Sequence, residues 1–440
     1  MLAVVGCAVF LASCNEPGKQ LQTGFIVPPD TIHTSVYWYW ISGNISKEGV
    51  VKDLQSMKKA GINRAFIGNI GLTPQETPTG PVRLFTDEWY DIVHTALKTA
   101  TELGIDIGMF NCPGWSQAGG PWVKPEQAMR YLATTRTEIK GGQKVSVTLP
   151  KPEGAYQDVK VLAYPAPMIE NPVLNVQNAR IIAPAVPNAR NMIDENNETF
   201  VQFSNQGEAT IDIVPNKPFT LRSVRVRPTE HWMNNSVDIQ VEENGTYRDI
   251  KSFIINRTNA GKEVGFDPYA PITITVPPTE GKSFRFVFKS ITPGSGIREL
   301  ELSAVPLVER YSEKSLAKMH QTPLPYWHDY MWAVQDEPGD ESLVVRADKV
   351  LDISDKLNGD VLTWDVPEGN WIVLRTGMLP TGVENGPAIE DGIGLEVDKW
   401  SQEHLATHYD AFVGELCRRI PAEDRKAWKV IVADSYEKGG

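Results

Sequence analysis

Apolar positions from residue 35 onward recur with two alternating periods. The run at 35–41 (SVYWYWI) is β-rich, and apolar residues then fall at Val50, Leu54 and Met57, the spacing of one helix face. Asn44 or Ser46 offers that helix a cap, and Gly61 offers it a stop. Residues 62–68 (INRAFIG) predict a second strand. Thr86 caps a second helix, with Asp87 and Glu88 at its positive end, and the pattern closes near Gly104. Residues 105–110 (IDIGMF) predict a third strand. Short strands separated by helices of about 15 residues imply βα units and a parallel sheet.

That pattern breaks between about 145 and 310. Short alternating runs such as 209–214 (ATIDIV), 221–227 (LRSVRVR) and 284–289 (FRFVFK) are punctuated by Pro, Gly and Asn, as in a β-sandwich. The segment 194–200 (DENNETF), ahead of a strand, resembles the opening of galactose-binding-like (discoidin-type) sandwiches. Residues 361–364 and 371–375 predict a β-hairpin or a return to the barrel. An amphipathic helix over 401–420 gathers Leu405, Tyr409, Phe412, Val413 and Leu416 on one face, then leads to a strand at 428–433 (WKVIVA).

The expected fold class is α/β plus all-β, an incomplete (β/α)8-type barrel interrupted by an inserted β-sandwich. Residues 1–14 form a lipoprotein signal with its lipobox and 15–34 a tether. The first part of the barrel covers 35–144, the galactose-binding-like sandwich 145–310, a mixed β segment 311–370, and the truncated continuation of the barrel 371–440. A closed barrel needs eight strands, so the chain is expected to be the front part of a larger protein. No internal repeat or low-complexity tract interrupts the pattern.

The 440 residues allow two or three domains with their own cores. A formal net charge of -12 without a basic block argues against nucleic acid or an anionic membrane surface as partner. Twelve Trp and thirteen Tyr suit stacking against sugar rings, although core packing claims many of them. The apolar start ending in Leu11-Ala12-Ser13-Cys14 matches the bacterial lipobox, which makes Cys14 the lipidated residue. It is too short to span a bilayer. The expectation is a bacterial cell-envelope protein, periplasmic or on the outer-membrane surface, held to the membrane only by its lipid; the competing reading is a cytosolic protein with an apolar start. The remaining Cys112 and Cys417 are far apart, so no zinc site or disulfide framework is indicated.

Cleavage of a glycosidic bond needs two carboxyl groups flanking it. Glu437 is the candidate general acid, because it follows an apolar run at the end where barrel strands present catalytic groups. The bland alternative is a helix cap or the start of a surface loop. Asp434 is assigned to substrate hydroxyls or a metal. Trp40, Trp115 and Trp122 are candidate sugar platforms, with core packing as the alternative for Trp40. The acidic stretch Glu384, Glu390, Asp391, Glu396 and Asp398 has oxygen ligands for calcium but reads by default as a solvated loop. His404 and His408 have metal-ligand spacing with no third ligand, and a solvated helix face is the simpler reading.

Several stretches together resemble glycoside hydrolase family 106, the α-L-rhamnosidases. They are 36–40 (VYWYW) with Gly43, Asp53-Leu54 and Met57 with Ala60-Gly61, 85–89 (FTDEW), 112–116 (CPGWS), 119–122 (GGPW) with Pro125-Glu126, 394–399 (GLEVDK) and 434–437 (DSYE). The resemblance implies an inverting, calcium-dependent glycosidase acting on an oligo- or polysaccharide of plant or bacterial origin, with Glu437 as general acid. The calcium ligands cannot be mapped from it. The partner Glu lies on a later strand in the family, so these 440 residues alone are expected to be inactive. The rival reading is a non-catalytic, carbohydrate-binding surface lipoprotein; a third is another α/β-barrel glycosidase sharing only this portion.

Overall fold

The structure, a computed structural model, describes residues 17–27, 32–114, 119–167, 169, 172–203, 207–258, 266–315, 317, 334, 335 and 337–433. Cys14, Trp115, Asp434 and Glu437 lie outside the described residues. The chain divides into two compact units, one of residues 1–117, 386–393 and 409–434, the other of 118–385, 394–408 and 435–440.

In the first unit, helix α1 (Pro17–Ile26) occupies the segment expected to be a tether. Pro17 is its first residue, where a missing N–H costs nothing, and the run that follows contains good helix formers. Among the described residues no helix is long and apolar enough to cross a membrane.

Strands β1 (Ser35–Ile41), β2 (Arg64–Ile70) and β3 (Asp106–Phe110) pair in parallel, and the strand Trp428–Val432 joins β3 in the same direction. Helix α2 (Lys47–Lys59) is capped by Ser46, whose Oγ accepts from Gly49 N at 3.0 Å, while Asn44 spends its amide on Ile41 and Pro78 carbonyls. Helix α3 (Asp87–Leu103) begins at Thr86, whose hydroxyl accepts from Trp89 N, and ends on Gly104 in the left-handed region. Its buried stripe of Trp89, Ile92, Val93, Ala96 and Leu97 packs the unit, and Trp89 Nε1 donates to Asn69 Oδ1 at 3.1 Å.

The second unit is built of antiparallel sheets. Phe219–Pro228 pairs with Ile272–Gly281 and with Gly296–Ser303, which also takes Val201–Gln202. A separate five-stranded sheet centres on Met233–Glu243, Phe284–Lys289 and Glu208–Pro215. Side chains from both sheets enter one core that includes Ile211, Leu221, Val224, Val237, Ile239, Phe286 and Leu300, all fully buried. The period-two pattern causes this, since every second residue of Glu208–Pro215 is buried.

Residues 361–375 form neither a hairpin nor a barrel strand. Val361–Val366 pairs with Gln143–Thr148, whereas Asn370–Pro380 pairs with Arg130–Lys140 and Gln157–Pro165. This antiparallel pairing takes in Arg130–Lys140, expected in the first barrel part, and Asn370–Pro380, expected mostly in its continuation. The two sheets meet over a core containing Ile139, Val161, Leu362, Trp364, Trp371 and Val373. Arg375, 2% exposed, is bidentate to Asp158 at 2.7 Å, bonds Asp360 at 2.8 Å and donates to Leu149 O at 3.0 Å. Replacing Arg375 by Leu leaves a buried carbonyl without its donor and two carboxylates without their cation. The expected cost is about 2–3 kcal/mol, below that of a fully buried pair because both carboxylates stay partly solvated. Urea denaturation of the variant against the parent measures it; a loss under about 0.5 kcal/mol, the surface-substitution level, would contradict this account.

The helix expected over 401–420 is interrupted. Gln402–Tyr409 is α-helical, Asp410–Gly414 forms a π-helical turn, and Glu415–Arg419 resumes the α-helix. His408 is buried. Tyr409 is exposed, against the sequence expectation.

Candidate functional site

Strand β1 carries four consecutive aromatic residues, and the structure sorts them onto two faces. Trp38 Nε1 donates to Asp53 Oδ2 on α2 at 3.0 Å, and the Trp38 and Trp40 rings meet edge to face at 5.5 Å. These two tryptophans line a cleft of about 440 Å³ with Asn44, Ser46, Val50 and Asp53. Trp40 is 2% exposed, and its Nε1 has no partner among the described residues. Trp40 therefore faces the helix side and is not placed as a floor for substrate on the opposite face of the sheet.

Tyr37 and Tyr39 occupy that opposite face, stacked at 5.4 Å, with Phe66 and Phe110 each 6.0 Å from Tyr37. Register builds this face, because Tyr37 pairs with Phe66, Tyr39 with Gly68, and Phe66 with Gly108. A Cβ at Gly108 would stand 2.3 Å from the Phe66 ring, and one at Gly68 would stand 3.1 Å from Tyr39. The glycines thus make room for the rings. Tyr37 keeps much of its surface open in the structure. Sequence reasoning missed this set, although an aromatic opposite a glycine in adjacent strands was its available signal.

At the strand ends, Gly114 N bonds Asn69 O at 2.8 Å, and Asn111 N bonds Val432 O at 3.0 Å. The segment after β3 is thereby tied to β2 and to the strand Trp428–Val432. Cys112 is fully buried.

The acidic stretch is not uniformly solvated. Within the first unit Asp391 pairs with Arg83, which holds its carboxyl below the usual range. Within the second unit Glu396 is fully buried against Lys399; burial pushes its carboxyl up while Lys399 opposes the shift, and Oε2 has no partner among the described residues. Asp398 accepts from Trp400 N. Glu384 and Glu390 stay exposed. Among the described residues no group of three or more His, Cys, Asp or Glu side chains could hold a metal ion.

Trp122 belongs to the second unit and donates from Nε1 to His408 Nδ1 at 3.0 Å. His408 is 2% exposed, which overturns the solvated reading; His404 is half-buried. The Trp122 bond places the neutral ring's proton on Nε2. Burial lowers the His408 pKa to about 4 from 6.5. A depressed histidine pKa favours the neutral form in the fold, so this stability is complete above pH 6.5 and is lost as pH falls toward 4. The loss amounts to about 3 kcal/mol at the acid end. His408→Gln keeps an acceptor and cannot titrate, and it should flatten that part of the profile. Thermal unfolding at pH 7 and pH 4.5 measures the difference; identical acid slopes in parent and variant would sink the assignment.

A parallel βα sheet with an aromatic open face, whose last described strand leads in sequence to Asp434 and Glu437, suits the glycoside hydrolase class. The family model for alpha-L-rhamnosidase matches residues 26–440, and the chain belongs to that family, glycoside hydrolase family 106. It is 39% identical to a Formosa agariphila protein named "Putative beta-glucuronidase", over 98% of this chain and 26% of that protein. The structure of a rhamnosidase from Novosphingobium sp. PP1Y superposes with a TM-score of 0.72 at 26% identity, covering 92% of this chain and 38% of the other. The chain thus spans about a quarter of the curated relative's length.

Proposed function

We propose that this chain carries the acid-bearing portion of an inverting α-L-rhamnosidase, with Glu437 protonating the departing glycosidic oxygen and Asp434 holding substrate hydroxyls. The observation that carries this reading is the parallel pairing of Trp428–Val432 with β3. It ends that strand beside Phe110 and Asn111, the end of the sheet where βα enzymes gather catalytic groups, and Asp434-Ser-Tyr-Glu437 comes next in the sequence. Family membership supports the same chemistry. The finer architecture proposed is a partial (β/α)8-type barrel interrupted by a β-sandwich. Export by the lipobox with a lipid on Cys14 and placement at the bacterial cell envelope belong to the proposal, as does an oligo- or polysaccharide substrate. Calcium, which the family resemblance implies, belongs to the proposal as well, and no step is routed through it.

The test is hydrolysis of an aryl α-L-rhamnoside beside an aryl β-D-glucuronide by the full natural protein, with proton NMR of the first sugar released. Preference for the rhamnoside with β-rhamnose as the initial product is expected. Preference for the glucuronide would transfer the specificity to the one in the relative's name, and α-rhamnose as the first product would overturn inversion.

A further inference from the structure

One end of the antiparallel double sheet in the second unit exposes two large aromatic residues, Trp232 at 51% and Phe200 at 48%. Contacts join Phe200 to Glu230, and Trp232 lies two residues beyond Glu230 in the chain. The Arg298 guanidinium lies 5.8 Å from the Phe200 ring centre and pairs with Glu230 at 3.4 Å, and His231 and Trp232 follow Glu230 directly. We propose that this rim is a non-catalytic binding site for a neutral glycan, independent of the Glu437 chemistry.

The rim is held in shape by its own hydrogen bonds. Arg298 Nη1 donates to Asn197 O at 2.8 Å, Thr229 N to Gly296 O at 3.0 Å, and Gln202 Nε2 to Gly294 O at 3.1 Å. His231 Nδ1 lies 2.8 Å from Trp232 O, so in the neutral ring Nδ1 donates and Nε2 keeps its lone pair as an acceptor. Flat apolar faces beside a fixed guanidinium, a carboxylate and an imidazole match a sugar, which offers one C–H face and a ring of hydroxyls. The core beneath is already filled by Val201, Val226, Met233 and Ile297, so packing does not require the two exposed rings.

Charge selects among glycans. Glu230 neutralises Arg298, and the segment that supplies Asn197 also carries Asp194, Glu195 and Glu198. Asn196 N donates to Glu299 Oε1, which brings another carboxyl alongside. A uronate would meet net negative charge here, and a neutral ring would not.

The experiment is native affinity electrophoresis of the full chain in gels containing a galactan, an arabinan, a rhamnan or, as the anionic counterpart, polygalacturonan. Retardation by at least one neutral polysaccharide is expected. Trp232→Ala and Phe200→Ala should each weaken it by about tenfold or more while leaving the unfolding midpoint within a degree or two, since both rings are half exposed. Calorimetric titration with an oligosaccharide of the best polymer gives the ratio. No retardation by any neutral polymer, as a protein-docking patch would give, overturns the proposal. Stronger retardation by polygalacturonan, or undiminished binding by Trp232→Ala, also overturns it. Binding is the readout, so failure here leaves the catalytic reading standing, and loss of hydrolysis by Glu437 variants leaves this site untouched.

Discussion

Replacing Glu437 by Gln in the active enzyme should lower turnover of an alkyl α-L-rhamnoside by at least about 10²-fold, the lower end for general acid catalysis. The amide keeps the shape of the carboxyl group and has no proton to give. An alkoxide is a poor leaving group, so bond cleavage without that proton carries most of the penalty. A nitrophenyl leaving group departs as a stabilised anion and needs less help, so its turnover should fall much less. The ratio between the two substrates is therefore the diagnostic quantity. Equal, modest losses on both would mean that Glu437 only positions the sugar. Addition of azide gives an independent check on the roles. In an inverting enzyme the acid variant should not accumulate a rescued α-glycosyl azide, because no covalent intermediate waits for it.

The parts of the fold legible in the sequence are those set by local chemistry. Ser46 and Thr86 have the side-chain oxygens that helix starts need, Gly104 has the freedom its left-handed turn requires, and strands β1 to β3 lie where the apolar runs placed them. The strand Trp428–Val432 was legible for the same reason. Long-range pairing was not. Arg130–Lys140 and Asn370–Pro380 lie side by side in one sheet although more than two hundred residues separate them, and nothing local in either run names its partner. The π-helical turn at Asp410–Gly414 was equally hidden. The burial of His408 was hidden for another reason: its partner Trp122 lies almost three hundred residues away in sequence, and nothing local names it. For the candidate site, alternation at 37–40 showed that the aromatic residues must divide between two faces. Only the bond from Trp38 to Asp53 on α2 decides which pair faces the helices.

That division fixes the expected behaviour of Trp40. Trp40→Ala should cost about 3–5 kcal/mol of stability, the range for truncating a buried aromatic side chain. The ring is 2% exposed and packs edge to face with Trp38, so its removal opens a void beside α2 and takes away a packing partner of the Trp38 ring. The cleft bordering the site lets water reach part of that void, which favours the lower half of the range. Trp40→Phe should recover most of the loss, because the indole N–H it gives up has no partner among the described residues. The folded fraction of either variant should keep the parental KM for an aryl rhamnoside. Tyr39→Ala, on the opposite face with Phe110 and the two glycines, should raise KM instead. Urea denaturation of the chain and initial-rate kinetics of the full natural protein, with all three variants, separate these outcomes. A Trp40→Ala protein of parental stability with a tenfold higher KM would return Trp40 to the substrate side and reverse the assignment of the two faces.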